Sequence, residues 1–313
     1  MGAFPLKHVY EAQQFDRRLL DTVFETADDM KRDMAEGGRR YGRSLANKIM
    51  ASLFYEPSTR TRFSFEAAMM RLGGNLITTE NAREFSSAAK GESLYDSTRI
   101  MNGYADIIVM RHHEAGSAEK AARVSTIPVI NAGDGAGQHP TQALLDLYTI
   151  KDHFSEINNL KVAMVGDLKY GRTVRSLSYL LTKYSGIRIV FVSPPVCRMA
   201  SDIKSYLDKE GIPWAEDTDL DNVLPQVDCV YMTRIQKERF IIPEDYDDAV
   251  GKYVLTPEKV RRMKPDAIIM HPLPRLDEIP RAVDDDPRAH YFEQAQNGLY
   301  IRMALLYLLL TAD

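Results

Sequence analysis

Short apolar runs alternate with amphipathic segments along nearly all of this 313-residue sequence. Runs such as Ile49–Phe54 and Cys229–Met232 have the length and apolar character of buried strands. The segments at 15–34 and 141–154 carry apolar residues at helical spacing instead. Strands that are buried on both faces and separated by helices are typical of parallel sheets. The sequence therefore predicts an α/β fold, with mostly parallel sheets flanked by helices.

A glycine-rich turn ahead of Pro140 divides the chain into two parts. A chain of 313 residues favours two domains, because a domain has on average about 150 residues. Proline suits the first turn of a helix, so we place the break at this turn. Residues 1–140 are then predicted to form one domain, and the second begins at residue 141.

The charge and the cysteines of the sequence restrict its function. A net charge of −4 argues against nucleic-acid or membrane binding through bulk electrostatics. Cys197 and Cys229 lie in or beside apolar runs, which predicts buried thiols in a reducing compartment. The histidines lack metal-ligand spacing, and the apolar run at 303–310 is too short to span a bilayer. We expect no metal, no cofactor and no membrane segment.

Polar clusters follow the predicted strands one after another. In open α/β sheets, ligands bind outside the carboxyl ends of the strands, so these clusters mark the expected site. Arginine recurs in them, and its planar guanidinium suits carboxylate and phosphate groups. The pattern predicts a local anion site for one polyanionic ligand, or for two anionic ligands together. The clusters are 58–61, Arg111, 138–142, Arg172, 234–236 and 271–275.

The first cluster lies at a strand-to-helix turn that reads Ser58-Thr59-Arg60-Thr61-Arg62. The free N–H groups of a helix start, beside two arginines, favour an anion. The alternative is a helix capped by a hydroxyl residue, with both arginines in solvent. The turn alone does not decide between these interpretations.

Common catalytic patterns are missing from the sequence. It has no Walker A motif and no nucleophile elbow, and its 166–171 turn lacks the GxGxxG pattern. His139 is the one imidazole placed to polarise a carbonyl, and the alternative is a turn histidine packed before Pro140. The chemistry suggested is substrate positioning and charge stabilisation.

Taken together, the motifs resemble those of the carbamoyltransferase family over nearly the whole chain. The matching motifs are 58–62 (Ser-Thr-Arg-Thr-Arg), Arg111, 139–142 (His-Pro-Thr-Gln) and 271–274 (His-Pro-Leu-Pro). Within the family, the chain is similar to the members that use aspartate as the acceptor. The Lys90 loop and residues 233–239 resemble theirs, and Pro272 stands where ornithine-using members carry a cysteine.

The resemblance implies a carbamoyl transfer from carbamoyl phosphate to L-aspartate, the committed step of pyrimidine (UMP) biosynthesis. The implied phosphate-binding residues are Ser58, Thr59, Arg60 and Thr61, with Ser86 and Lys90 from a neighbouring subunit. The implied catalytic residues are Arg60 together with Thr61, Arg111 and His139, of which the last three polarise the carbonyl. The residues implied to hold the carbamoyl NH₂ are Gln142, Pro272 and Leu273. The implied aspartate-binding residues are Lys90, Arg172, Arg234 and Gln236.

The resemblance also implies how the chain is organised. Carbamoyl phosphate would bind the first domain, 1–140, and aspartate the second, 141–293. The C-terminal helix, within 294–313, would pack back on the first domain. Active sites would be shared within a homotrimer, and closure of the domains would exclude water. The departing phosphate would take the proton of the attacking amine, since no protein base is evident.

Several finer expectations come from the same resemblance. Phe85, in a loop similar to the plant-type loop, would contact UMP as an inhibitor, and the alternative is a phenylalanine tucked against the subunit interface. The expected compartment is the cytoplasm, or a plastid if a transit peptide has been removed. A regulatory chain or a dihydroorotase is an open partner. Two alternative functions also stay open: transfer to another amino acid, and a non-catalytic scaffold in an assembly.

Overall fold

The computed structural model describes residues 4–85, 90–235 and 243–311. Contacts within the chain divide it into two units. The first unit takes in the chain through Leu145 and again from Gln296 onward, and the second runs from Asp146 to Ala295.

The first unit contains a four-stranded sheet in which all neighbouring strands are parallel. Its strands are β1 (Ile49–Phe54), β2 (Asn75–Glu80), β3 (Ile107–His112) and β4 (Val129–Asp134). Their order across the sheet is β2-β1-β3-β4. The helices of this part of the chain are α1 (Arg17–Ala35), α2 (Thr59–Arg71), α3 (Ala82–Phe85), α4 (Leu94–Met101) and α5 (Ser117–Val124).

The second unit contains a five-stranded sheet that is also parallel throughout. Its strands are β5 (Lys161–Val165), β6 (Arg188–Val192), β7 (Trp214–Asp217), β8 (Cys229–Met232) and β9 (Ile268–Met270). Their order is β7-β6-β5-β8-β9. The helices of this unit are α7 (Arg172–Leu181), α8 (Ser201–Lys209), α9 (Leu220–Val223), α10 (Pro243–Ala249) and α11 (Pro257–Val260). The expected α/β class with parallel sheets is confirmed.

Two helices carry the chain from one unit into the other: Pro140–Phe154 is α6, and Tyr291–Leu310 is α12. The C-terminal part of α12 packs within the first unit. The guanidinium of Arg302 donates from Nη1 to Ser64 Oγ at 2.8 Å and lies over the ring of Phe65. The Tyr307 ring meets the Tyr41 ring edge to face. Short 3₁₀ turns complete the described elements, at Ala12–Gln14, Pro195–Cys197, Leu224–Gln226 and Arg281–Val283.

The strands have the burial that their apolar sequences predict. In β3, for example, Ile107, Ile108 and Val109 are fully buried, as expected for a parallel strand covered by helices on both faces. The edge strand β7 was not expected from the sequence. Its four residues are half-buried or exposed, so it lacks the apolar run that marks the inner strands.

The apolar residues from Phe63 onward predict a helix that begins at Phe63, whereas α2 begins at Thr59. The helix starts earlier because a polar first turn, which has no apolar spacing, precedes those residues. This extra turn places the hydroxyl and arginine cluster inside the helix start rather than in a loop ahead of it. The difference matters for anion binding, since the amide N–H groups of the first turn have no partners within the helix.

Cys197 and Cys229 are free and buried, as predicted, and burial raises the pKa of the Cys229 thiol. Within residues 4–85, 90–235 and 243–311, no cluster of three or more histidine, cysteine or acidic side chains is arranged to hold a metal. Across the same ranges, no helix is both long and apolar enough to cross a membrane.

Candidate functional site

The carboxyl ends of β1 and β3 bring the first two polar clusters together. The parallel register pairs Phe54 with Arg111, so the residues after β1 lie beside Arg111. Arg111 Nη1 donates to Ser58 Oγ at 3.1 Å, and Arg111 Nε donates to Glu56 Oε2 at 3.3 Å. Sequence positions 53 residues apart thus form one contact, as the strand-end argument predicted. The sequence analysis did not predict Glu56 at this site. The only indication in the sequence was its position a few residues before the arginines of the cluster.

The start of α2 is not capped by the residue that precedes it. Ser58 occupies the N-cap position, yet its hydroxyl makes no capping hydrogen bond and accepts from Arg111 instead. Arg62 is not in solvent either, because it forms ion pairs with Glu66 and Glu80 at 3.5 and 2.8 Å. The alternative of a capped helix with both arginines in solvent is therefore wrong for the cap and for Arg62, whereas Arg60 is exposed.

Arg60 and Thr61 complete this helix start. Arg60 is exposed, whereas Thr61 is buried. Neighbouring atoms partly desolvate the Arg60 guanidinium and lower its pKa. Arginine nevertheless stays charged at neutral pH, because its ordinary pKa is very high. The helix start therefore combines the positive end of a helix dipole with an accessible, permanently charged side chain.

His139 and Gln142 lie at the entry to α6, after the carboxyl end of β4. Both are buried, and His139 O accepts from Gln142 N at 3.0 Å. The preceding turn is organised by Asp134, a residue that the sequence analysis missed. Its carboxylate accepts from Gln138 N at 2.7 Å and from Gly116 N at 2.8 Å. The Gly133-Asp134-Gly135 sequence was the available signal, since a short carboxylate between glycines commonly satisfies turn amides.

In the second unit, Arg172 and Arg234 follow neighbouring strands of the sheet. Arg172 is buried at the first position of α7, and Arg234 is half-buried directly after Thr233. Thr233 links the two strand ends: its hydroxyl donates to Val165 O at 2.8 Å and accepts from Asp167 N at 3.0 Å. The β5 and β8 ends that carry the two arginines are thereby held together.

The turn after β9 contains Pro272 and Leu273 and has an unusual backbone. The Leu273–Pro274 peptide is cis, and Leu273 has a φ of 53°, in the left-handed region that favours glycine. The positive φ of a leucine is a strained conformation that persists only where the surrounding structure holds it in place, and such strain is frequent at ligand sites.

Buried side chains hold this turn by accepting hydrogen bonds from its backbone. Leu273 N donates to His271 Nδ1 at 2.8 Å, and His271 N donates to Gln294 Oε1 at 2.8 Å. Gln294 in turn donates a hydrogen bond from Nε2 to Asp146 Oδ1 at 2.6 Å. These partners are distant in sequence, so the sequence analysis did not find them.

The remaining predicted residues are only partly described. Lys90 is exposed, and Phe85 is the last residue of α3. Ser86 and Gln236 lie outside the described residues. The first unit thus brings five predicted residues together around one helix start: Ser58, Thr59, Arg60, Thr61 and Arg111. In the second unit, Arg172 and Arg234 follow the carboxyl ends of two neighbouring strands, β5 and β8.

Comparisons with known proteins show the family of the chain. Residues 7–152 match the family model for the carbamoyl-P binding domain of aspartate/ornithine carbamoyltransferase, and residues 158–309 match the model for its Asp/Orn binding domain. The pea (Pisum sativum) protein named aspartate carbamoyltransferase 1, chloroplastic, is 56% identical over 98% of this chain and 79% of its own length.

Solved structures of similar sequence have the same fold. The catalytic subunit of the M. jannaschii aspartate transcarbamoylase superposes with a TM-score of 0.89 at 46% identity, covering 97% of this chain and 98% of that one. The Trypanosoma cruzi aspartate transcarbamoylase in complex with carbamoyl phosphate and aspartate has a TM-score of 0.90 at 38% identity, covering 97% of each chain. Together the two family models cover nearly all of the sequence, as do these relatives, and the chain belongs to the aspartate/ornithine carbamoyltransferase family.

Proposed function

We propose that this chain transfers the carbamoyl group of carbamoyl phosphate to the amine of L-aspartate, giving N-carbamoyl-L-aspartate and phosphate in pyrimidine biosynthesis. The observation that carries the proposal is the contact between Arg111 and Ser58 at the uncapped start of α2. A guanidinium and unpartnered helix amides there form a site for a dianion such as a phosphoryl group. The T. cruzi relative solved with both substrates supports this choice of ligands.

The phosphate end of carbamoyl phosphate is assigned to the first unit. Backbone N–H groups at the α2 start would donate to the phosphate oxygens, with the exposed Arg60 supplying positive charge. The full set that we assign to the phosphate is Ser58, Thr59, Arg60 and Thr61, joined by Ser86 and Lys90 from a neighbouring copy.

The carbamoyl end is where charge develops during the reaction. When the aspartate amine attacks the carbonyl carbon, a C–N bond forms and the carbonyl oxygen becomes an oxyanion. Thr61, Arg111 and His139 would stabilise this oxygen, each well-placed donor contributing about 3–4 kcal/mol. The backbone carbonyls of Pro272 and Leu273, with Gln142, would accept hydrogen bonds from the carbamoyl NH₂. The C–O bond to phosphate then breaks, and the departing phosphate takes the amine proton.

The two carboxylates of aspartate are assigned to the second unit, where Arg172 and Arg234 lie at one sheet edge. Gln236 and Lys90 would complete this subsite. A cationic acceptor such as ornithine would meet repulsion from the two guanidinium groups. Assays of phosphate release with L-aspartate, L-ornithine and their N-acetyl forms test this choice. Turnover with ornithine at the aspartate rate would contradict it.

Removal of Arg60 tests the phosphate site directly. Arg60→Ala should lower kcat/KM for carbamoyl phosphate at least about 100-fold, because a charged donor to the phosphate is lost. Arg71→Ala is the matched control, since Arg71 is an exposed arginine at the other end of α2. A folded Arg60→Ala protein with near-normal turnover would refute the proposed site.

We also propose that the chain acts as a homotrimer with shared active sites. An apolar surface of the first unit supports a second copy as the partner: Phe63 and Met70 of α2 and Ile77 of β2 are 54%, 64% and 37% exposed. Phe63 and Met70 are two helical turns apart and share one face, and β2 is an edge strand of the described sheet.

Mixed trimers test whether Lys90 acts across the interface. Arg60→Ala and Lys90→Ala chains should each be nearly inactive alone. In a closed three-fold ring that mixes them equally, about a quarter of all sites would combine an intact Arg60 with an intact Lys90. Co-refolded chains should therefore regain roughly that fraction of activity. Co-refolding without any gain would contradict a shared site.

The proposals on inhibition and compartment are narrower. Phe85 would place a side chain near the carbamoyl phosphate site and allow UMP to compete there, which a titration of UMP against carbamoyl phosphate tests. Absence of competition would exclude UMP at this site.

The buried free thiols support a reducing compartment such as the cytoplasm. The chloroplastic name of the pea relative makes the plastid the alternative, and localisation of the tagged protein distinguishes them.

A further inference from the structure

A buried chain of hydrogen bonds in the second unit begins at Asp146 and ends at the turn that contains Pro272 and Leu273. Asp146 lies on α6 and is fully buried. Tyr231 of β8 donates its hydroxyl to Asp146 Oδ2 at 2.7 Å. Gln294 of α12 donates Nε2 to Asp146 Oδ1 at 2.6 Å. A buried carboxylate needs such donors, because an unpaired charge in the interior is strongly unfavourable.

The contact with Asp146 determines how the amide group of Gln294 is oriented. A carboxylate only accepts hydrogen bonds, so the NH₂ group of Gln294 must face it. The oxygen of the same amide then faces the opposite way, where it accepts from His271 N at 2.8 Å. Asp146 therefore fixes the acceptor that holds the backbone of His271.

The imidazole of His271 holds the backbone of Leu273 in a similar way. Its Nδ1 accepts from Leu273 N at 2.8 Å, so that nitrogen carries no proton. The proton then lies on Nε2, which donates to Glu278 Oε1 at 2.9 Å. Burial alone would raise the pKa of Glu278, but the interactions with His271 and the hydrogen bonds from the backbone of Glu278 and Leu276 together leave that pKa lowered. Backbone and side chain of His271 are thus both fixed, and with them the strained φ of Leu273.

We propose that Asp146 and Gln294 are positioning residues, which hold the 271–273 turn so that its backbone carbonyls can receive the carbamoyl NH₂. This inference rests on the proposed function, because it assumes that Pro272 and Leu273 bind carbamoyl phosphate. Neither side chain needs to touch substrate. Their effect passes through the amide of Gln294 and the backbone of His271 to the turn.

An exchange of the two side-chain types tests the proposal. Gln294→Glu alone sets two carboxylates against each other, and Asp146→Asn alone removes the charge that orients the amide. Each single variant should lose about 10- to 100-fold in kcat, since a buried hydrogen bond and the turn geometry are both disturbed. The double variant Asp146→Asn with Gln294→Glu restores one carboxylate facing one amide. It should recover most of the lost rate.

The binding readout separates positioning from a general loss of structure. Affinity for carbamoyl phosphate should fall about tenfold in the single variants, whereas affinity for inorganic phosphate should stay unchanged, because phosphate binding is assigned to the other unit. Gln296→Glu and Asp152→Asn are matched controls, since both are exposed positions on the same two helices. They should leave both affinities as in the wild type.

His271 provides a second test if the first variants do not fold. Asparagine at this position can still accept from the N–H two residues onward, as in an Asx turn, whereas leucine cannot. His271→Asn should therefore retain carbamoyl phosphate affinity within about threefold, and His271→Leu should lose about tenfold or more. The wild-type rate with aspartate, measured in parallel, tests the proposed function separately.

Several results would overturn the inference. An active wild type with single variants of normal kcat would do so. A folded double variant as impaired as either single variant would do so as well, and so would equal behaviour of His271→Asn and His271→Leu. If the wild type itself did not act on aspartate, the proposed function would fail first.

Discussion

Arg111 illustrates how one side chain can prepare a site before any ligand arrives. Its guanidinium donates from Nη1 to Ser58 and from Nε to Glu56, so it joins the chain after β1 to the end of β3. Lysine could not make both contacts from one nitrogen in that geometry. The Ser58 hydroxyl is in turn kept away from the amides of α2, so those amides remain available to an anion.

The neighbouring His112 should make the stability of the protein depend on pH. Burial, and then the charge of His113, lower the pKa of His112 to about 4. The unfolded chain has an ordinary histidine pKa of about 6.5 and so binds more protons between pH 6.5 and pH 4. Stability is therefore fully present above pH 6.5 and falls as the pH drops toward 4. We expect a loss of about 1–2 kcal/mol, less than the full shift implies because partial solvent access screens the charge.

Urea unfolding at several pH values measures this dependence. In His112→Asn, the amide oxygen can replace Nδ1 as the acceptor of Glu114 N, and the new side chain does not titrate. The change in the unfolding midpoint between pH 6.5 and 4 should be smaller in this variant than in the wild type. His153→Asn, at an exposed histidine, is the control. If the urea midpoint of His112→Asn changed with pH as much as that of the wild type, the pH dependence would not come from His112.

At the scale of elements, the strand ends were accessible to sequence analysis and the contacts that support them were not. The inner strands are apolar runs, and the end of such a run can be read directly, as at Phe54 and Met232. Parallel order then places the following residues at one edge, which was enough to predict that Ser58 and Arg111 meet. Asp146 and Gln294 are separated by 148 positions, and no local pattern reports that they touch.

The close approach of the β5 and β8 ends predicts a strong effect of one glycine. Gly166 has a φ of 110°, and a Cβ added there would lie 2.4 Å from Thr233 O. Gly166→Ala should therefore displace Thr233 and, with it, Arg234. Gly211 also has a positive φ, 70°, but an added Cβ would meet no atom within 4 Å. Gly211→Ala should cost about 1 kcal/mol, and Gly166→Ala about 3 kcal/mol or more.

Urea midpoints and steady-state kinetics distinguish the two alanine variants. Both should unfold at lower urea than the wild type, and Gly166→Ala by the larger margin. Only Gly166→Ala should raise KM for aspartate, because only that change reaches the residue before Arg234. Equal midpoints and equal KM values for the two variants would show that the strand ends adjust without cost.

At the scale of the whole molecule, the apolar surface on α2 should control assembly. A charge at Met70 would have to be buried against another copy, which is strongly unfavourable. Met70→Glu should therefore convert trimers to monomers in analytical ultracentrifugation and abolish most activity. Val250→Glu, at an exposed apolar residue of the second unit, is the control and should stay trimeric. A trimeric Met70→Glu protein would place the interface elsewhere.

The first unit is built from two separate segments of the chain and the second from one, so the two units are completed at different times during synthesis on the ribosome. The second unit is one uninterrupted segment, so all of its residues are made before those from Gln296 onward. The first unit also needs residues from Gln296 onward, and the hydrogen bond between Arg302 and Ser64 joins positions 238 apart. Until Arg302 and the rest of α12 emerge, the surface around Phe65 lacks its cover, and the nascent chain exposes apolar groups that a chaperone could bind.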